Sequence, residues 1–431
     1  MENEVNEWDE INEIAKENNI MNKQSINFIN PNEIIEYLND PAKTSLTLDY
    51  IYNKIIDQTL DFQTFSSFNI IEKIFDLTNE SNANEITTKS FNILYLLTKI
   101  NHFQENLIHR IYLFCIERLS DIESQFLLAI YALLFSLLRI DRYRNIFIQN
   151  NELIDTILSQ IQDANEPYLH KLYLILTIIV SKPISKELAL SICNSISNLQ
   201  YSSDWITIIF YLQMQYSDII LNFDSSVILG EITELMKRET VSESLIAVNL
   251  LSLLIHSDIE FDFDFAPLID LAELKDTKLE SAALFCLSEL VLKNSEILNQ
   301  CLERNIIQIA ESKANSPSIV QKESIRLLSA FICGMTRTQM ENYISVVSMK
   351  ILLQGLDYDD TELLKLVIQA MDCIFRPKCG EFFKLFYNLF LECDGWSSIN
   401  SMMCNYDDHT IHFLSTAFYH NYSDIESLNE E

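Results

Sequence analysis

The side chains best suited by type and spacing to do chemistry lie near the C-terminal end, where Asp407, Asp408, His409 and His412 follow Cys404. Two histidines three residues apart share a helix face, the arrangement in which imidazoles hold zinc. A polar turn leading into a last helix accounts for the same residues, and that turn is the expectation here. Gly230, Gly334, Gly355, Gly380 and Gly395 stand too far apart to cradle a phosphate or form a dinucleotide turn, and no nucleophile elbow appears. With 62 Asp and Glu residues, carboxylate pairs occur everywhere, so no single pair marks an acid/base dyad. The chain is expected to be no enzyme and to use no cofactor or metal.

The elements that would position a binding surface are legible in composition. The chain has 431 residues, 48% of them hydrophobic, with only 5 Gly and 7 Pro. It is too long for one ordinary core and too poor in turn residues for a β-rich protein, which leaves a helical solenoid. Its formal net charge of -32 repels nucleic acid and anionic lipid head groups and attracts cationic partners. The same charge also serves to keep an Ile- and Leu-rich chain in solution. Nine cysteines without paired short spacing, with Cys115, Cys286, Cys333 and Cys373 inside helical stripes, fit reduced thiols in a cytoplasmic and nuclear protein. Met1 to Glu17 is acidic where a secretory signal would be basic and then apolar. The longest apolar run, Phe126 to Leu138, is shorter than the roughly 20 residues that span a bilayer, so it reads as a buried helix without membrane insertion.

Helical periodicity is clearest toward the end of the chain. Between Ser316 and Gly334, Ile325, Leu328 and Ile332 recur at steps of three and four, thickened by Leu327 and Phe331, with Pro317 opening the helix and Gly334 closing it. A second stripe runs Met340, Tyr343, Ile344, Val347, Ile351, and a third runs Leu364, Val367, Met371, Ile374 before Pro377. Similar stripes begin at Pro31 and continue through Arg142–Leu158 and Pro167–Pro183. Asp258–Pro267 alternates acid and aromatic with period two and reads as a loop or short extended insertion, with a partner-docking strand as the other reading. Residues 1–25 carry a thin stripe of Val5, Trp8, Ile11 and Ala15.

The segment from Gln321 to Phe375 resembles the penultimate repeats of importin α (karyopherin α). Leu391 to Ser423 resembles that family's closing repeat, with Glu392, Cys393, Asp394, Gly395 and Trp396 in its turn and Trp396 where the family has an aliphatic residue. Lys89–Ile100 and Leu127–Leu138 resemble the inner, third helices of earlier repeats, with Tyr131 at a Trp position. The resemblance implies an all-α, right-handed superhelical solenoid of armadillo repeats over 26–422. Roughly 40 residues per repeat gives about nine to ten of them. A closing repeat then lies near 391–422, an acidic segment at 1–25 and an acidic tail at 423–431.

In that family each inner helix presents Trp and, one turn later, Asn to a peptide groove. The corresponding pairs here are Tyr95 with Lys99, Tyr131 with Phe135, Leu174 with Ile178, and Thr207 with Tyr211. They continue as Ile246 with Leu250, Phe285 with Glu289, Arg326 with Ala330, and Gln369 with Cys373. None keeps Trp or Asn, so either an apolar, tyrosine-lined groove reads a different peptide or domain, or these positions only pack. The implied role is an adaptor in protein transport to the nucleus, carrying a protein or peptide cargo of cationic character. The alternative is a cytosolic scaffold of the same fold. The family's basic importin β-binding segment has only Lys16 and Lys23 as its counterpart, so importin β is not expected to bind in the family manner.

Overall fold

A computed structural model describes residues 31–57, 59, 69–78, 84–99, 105–119, 126–164, 166–197, 203–238, 240–257, 264–406 and 408–423. The residues 1–25 and all of the tail from 424 lie outside them, as does most of Asp258–Pro267. The chain divides into two compact units, Met1–Asn222 and Phe223–Glu431. All regular structure among the described residues is helical.

In the first unit a row of long helices, Thr44–Ile56, Asn84–Lys99, Leu127–Leu138, Glu166–Val180 and Ser203–Gln215, packs each against the next. Shorter helices such as Pro31–Leu38, Ile70–Leu77 and Asp141–Ile148 lie behind the row. The second unit repeats the scheme with Val241–Ile255, Thr277–Lys293, Ser318–Gly334, Thr361–Phe375 and His409–Tyr422. Several links between repeats recur at a similar sequence interval. Lys89 donates to Asp49 at 2.8 Å, Thr98 to Ser136 at 2.7 Å, Gln339 to Asn299 at 2.9 Å and Lys322 to Asp360 at 3.0 Å, each pair separated by 38 to 40 residues. Contacts confined to neighbouring repeats define a solenoid, in which no repeat buries its apolar face alone.

The apolar run that opens at Phe126 becomes the helix Leu127–Leu138, with nine of its residues buried. Neighbours on both flanks and behind it explain why it is apolar nearly all round. Each fully buried Leu or Ile contributes about 1.5–3 kcal/mol over leaving it exposed. Helix starts are fixed by side-chain caps: Asn150, Ser185, Asp224, Asp276, Asn294, Asp360 and Asp408 each accept from backbone N–H groups one turn in. Left-handed turns fall to Asn69, Asn305, Lys378 and Asp394 as well as Gly380, which is how helices are joined in a chain with so few glycines.

Two expected elements differ in detail. The stripe Met340–Ile351 is two helices, Arg337–Tyr343 and Val346–Gln354, because Ser345 leaves the helical path and caps the second through the Val347 and Ser348 N–H groups. Arg142–Leu158 likewise divides at Asn150, whose side chain caps Asn151–Asp163. The third stripe is a single helix, Thr361–Phe375, and the long period-three run is the helix Ser318–Gly334.

Candidate protein-binding face

Each long helix turns one side to its neighbours and leaves a stripe exposed, and these stripes make a ladder along each unit. In the first unit, Tyr95, Phe135, Ile178, Thr207 and Tyr211 are half-buried on that ladder and Lys99 is exposed. The Lys99 ammonium stands over the Tyr95 ring, 4.5 Å from its centroid, and the Phe210 and Tyr211 rings lie 5.4 Å apart. Met214, one turn beyond Tyr211, is 61% exposed. Acidic groups on the same side are tied to bases: Asp49 and Glu85 to Lys89, and Asp204 to His170. The Ser45 hydroxyl and Lys89 hold the Glu85 carboxyl below the usual carboxylate range.

Tyr131, expected on the groove, is instead a core residue, 1% exposed. Its hydroxyl donates to Gln160 Oε1 at 2.9 Å, and Gln160 Nε2 donates to the Leu119 carbonyl at 2.5 Å. Burial pushes its phenol well above the ordinary value. The exposed side of Leu127–Leu138 runs through Leu128 and Phe135, so Tyr131 sits one residue off the ladder and turns under it. Leu174 is likewise all but covered, and Leu250 is fully buried beside the half-exposed Asn249.

In the second unit Phe285 and Glu289 are half-buried on the ladder, and the Glu289 carboxylate meets His256 at 3.2 Å. Arg326 and Ala330 are corrections. Both fall on the expected stripe of Ser318–Gly334, but the helices on either side close over it. Ala330 is fully buried, and Arg326 lies over the Phe285 ring at 5.3 Å with its guanidinium held by Glu323 at 2.9 Å and Asp360 at 3.5 Å. Lys322 reaches the same two carboxylates. Burial opposes charge on both Asp360 and Lys322. The Leu363 N–H and the two cations outweigh it on Asp360 and lower its carboxyl, while the carboxylates outweigh it on Lys322 and raise its ammonium. Gln369 is exposed and Cys373 half-buried, the latter's thiol lowered by its hydrogen bond with Cys333.

No family model matches the chain, and no curated protein does. Solved structures do. An engineered protein aligns with TM-score 0.64 and 11% identity over 91% of this chain and 99% of its own. A chain from a study of a phosphorylation switch in the cadherin and beta-catenin interaction aligns with TM-score 0.56 and 14% identity, over 79% of this chain and 68% of its own. UNC-45 from Drosophila melanogaster gives 0.55 and 9%, over 93% and 58%. This is an armadillo-repeat solenoid.

Within the armadillo scheme, Asp408 takes a structural part. It caps His409–Tyr422 through the Thr410 and Ile411 N–H groups and pairs with Lys365 at 3.1 Å. His409 and His412 are exposed, and no cluster among the described residues has the makings of a metal site. Among the described residues no helix is long and apolar enough to cross a membrane.

Sequence reasoning missed two members of the first unit's ladder, Arg139 and Lys182. Both are exposed, and each lies four residues after an expected ladder residue, Phe135 and Ile178, as Lys99 does after Tyr95. A cation at that offset, recurring at the repeat interval, was the available signal.

Proposed function

We propose that this chain is a non-enzymatic scaffold that binds an extended protein segment along the exposed ladder face of its armadillo helices. The observation that carries the reading is the set of half-exposed Phe135, Ile178, Phe210 and Tyr211 with the exposed Met214 on successive helices of the first unit. Aromatic and Met side chains left partly in water on a repetitive face are what a partner desolvates. Affinity capture from cells tests it. Partners held by the wild type should be lost with Phe135→Ser and Tyr211→Ser and kept with Ile146→Ser on the helix behind the row. Loss with Ile146→Ser alone would place binding elsewhere.

The narrower role, an adaptor for transport between cytoplasm and nucleus, is supported only by the sequence likeness of Gln321–Phe375 and Leu391–Ser423 to importin α. Recovery of importin β or an export factor in the same capture supports it, and their absence alongside other ladder-dependent partners leaves the cytosolic scaffold.

A further inference from the structure

Three exposed cations of the first unit's ladder stay out of ion pairs among the described residues. In a chain with 62 acidic and 30 basic residues, carboxylates are plentiful enough to engage many of the cations. Elsewhere on the two ladders Lys89, Lys322, Arg326, Lys365 and Arg376 pair with carboxylates, and Lys293 and Lys378 donate to backbone carbonyls. Lys99, Arg139 and Lys182 meet no carboxylate among the described residues. They stand at or just past the C-terminal ends of three consecutive packed helices, Asn84–Lys99, Leu127–Leu138 and Glu166–Val180. The Thr98 to Ser136 hydrogen bond brings the first two of these ends together.

A helix dipole favours a cation at each such end. It does not account for the aromatic or apolar residue four positions earlier. Lys89 lies between Asp49 and Glu85, and His170 beside Asp204, so these acids are engaged, and the positive charge beside apolar surface is that of Lys99, Arg139 and Lys182. Adjacent packed helices lie about 8–10 Å apart, the length of about three residues of extended chain.

We infer that this face takes an extended acidic peptide of a partner protein, its carboxylates meeting Lys99, Arg139 and Lys182 and its apolar side chains lying on Phe135 and Ile178. The assignment rests on the ladder being the binding face and adds the partner's charge, opposite in sign to what the net charge of the whole chain attracts. The chain's overall negative field slows the approach of such a peptide, and the local pairs hold it once docked.

Two dye-labelled dodecapeptides test it by fluorescence anisotropy at physiological salt, one alternating Asp, Glu and Leu, the other alternating Lys, Arg and Leu. The acidic probe should bind the full chain at least tenfold tighter than the basic one. The double variant Lys99→Glu with Arg139→Glu should lose the acidic probe by at least tenfold and gain the basic one. Both side chains are exposed, and an unchanged circular dichroism spectrum confirms folding.

Preference of the wild type for the basic probe, or an acidic probe indifferent to the charge reversals, overturns the inference. If that basic binding is abolished by Phe135→Ser, the ladder reading survives while the acidic assignment does not. If removing residues 1–25 is needed before the acidic probe binds, the chain's own acidic segment is the occupant, and the partner assignment is again overturned.

Discussion

At the end of one long helix in the first unit, Lys99 lies over the Tyr95 ring with no carboxylate near it. At the equivalent end in the second unit, the Lys293 ammonium donates to the Ile255 and Ser257 carbonyls and closes the helix before it. The contrast recurs along both ladders. Gln215, a neutral residue, closes Glu166–Val180 in the first unit by donating to the Val180 carbonyl at 2.6 Å, which leaves Lys182 exposed. In the second unit Arg326 and Lys322 are drawn into a half-buried network with Glu323 and Asp360, and Lys378 donates to the Asn421 carbonyl. One fold thus uses the same residue type in two ways. Cations that satisfy buried carbonyls and carboxylates stiffen the repeat stack, while cations left in water remain open to a partner.

The largest expected effect removes what completes the second unit. Phe375 is ringed by Phe383, Phe386, Tyr387, Phe390, Phe418 and Tyr422 at centroid distances of 5.1 to 6.0 Å. Truncation after Leu389 deletes half of that shell. Hydrogen exchange should then show lost protection across Thr361–Phe375 while the first unit keeps its own. Uniform loss in both units would mean that they do not act as separate bodies. The point substitution Phe375→Ala should cost about 3–5 kcal/mol in urea unfolding, and a loss below about 1 would deny the cluster its role.

Asp360→Asn probes the network that sets the second unit apart. Asn keeps the cap on Thr361–Phe375 but removes the charge facing Lys322 and Arg326, at a cost of about 1–3 kcal/mol at neutral pH. The folded carboxyl titrates below its unfolded value of about 3.9, so its contribution is complete above that value and is lost as pH falls through the lower, folded one. The gap in unfolding midpoint between wild type and variant should therefore be constant from pH 7 to about 5 and close on further acidification. A gap that widened there would contradict the assignment.

The smallest effect concerns Tyr131. Tyr131→Phe strips the hydroxyl from Gln160 and should cost about 1–2 kcal/mol of stability. It should leave partner binding untouched, because the residue belongs to the core. A binding defect without a stability loss would restore it to the groove.

Periodicity makes much of this legible in the sequence. The stripes at Ile325, Leu328, Ile332 and at Leu364, Val367, Met371 are buried faces of single helices. What periodicity lacks is a residue's position to within one step around the helix. Tyr131 and Phe135 share a nominal stripe, yet one points under the row and the other out. The burial of Arg326 was illegible for another reason: its guanidinium is held by Asp360, 34 residues away, and by the Phe285 ring, contacts that exist only once three helices have packed. Whether a helix end is closed by Gln215 or Lys293 is likewise decided between repeats, so the unpaired state of Lys99, Arg139 and Lys182 becomes visible only in the folded chain.

Photocrosslinking from the two sides of the first unit tests the central claim most directly. Benzoylphenylalanine placed at Phe135 on the ladder, or at Ile146 on the helix Asp141–Ile148 behind it, is irradiated in cells, and adducts are identified by mass spectrometry. A discrete partner adduct from position 135, absent from position 146, is the predicted result. An adduct from position 146 with none from 135 would contradict the ladder as the binding face.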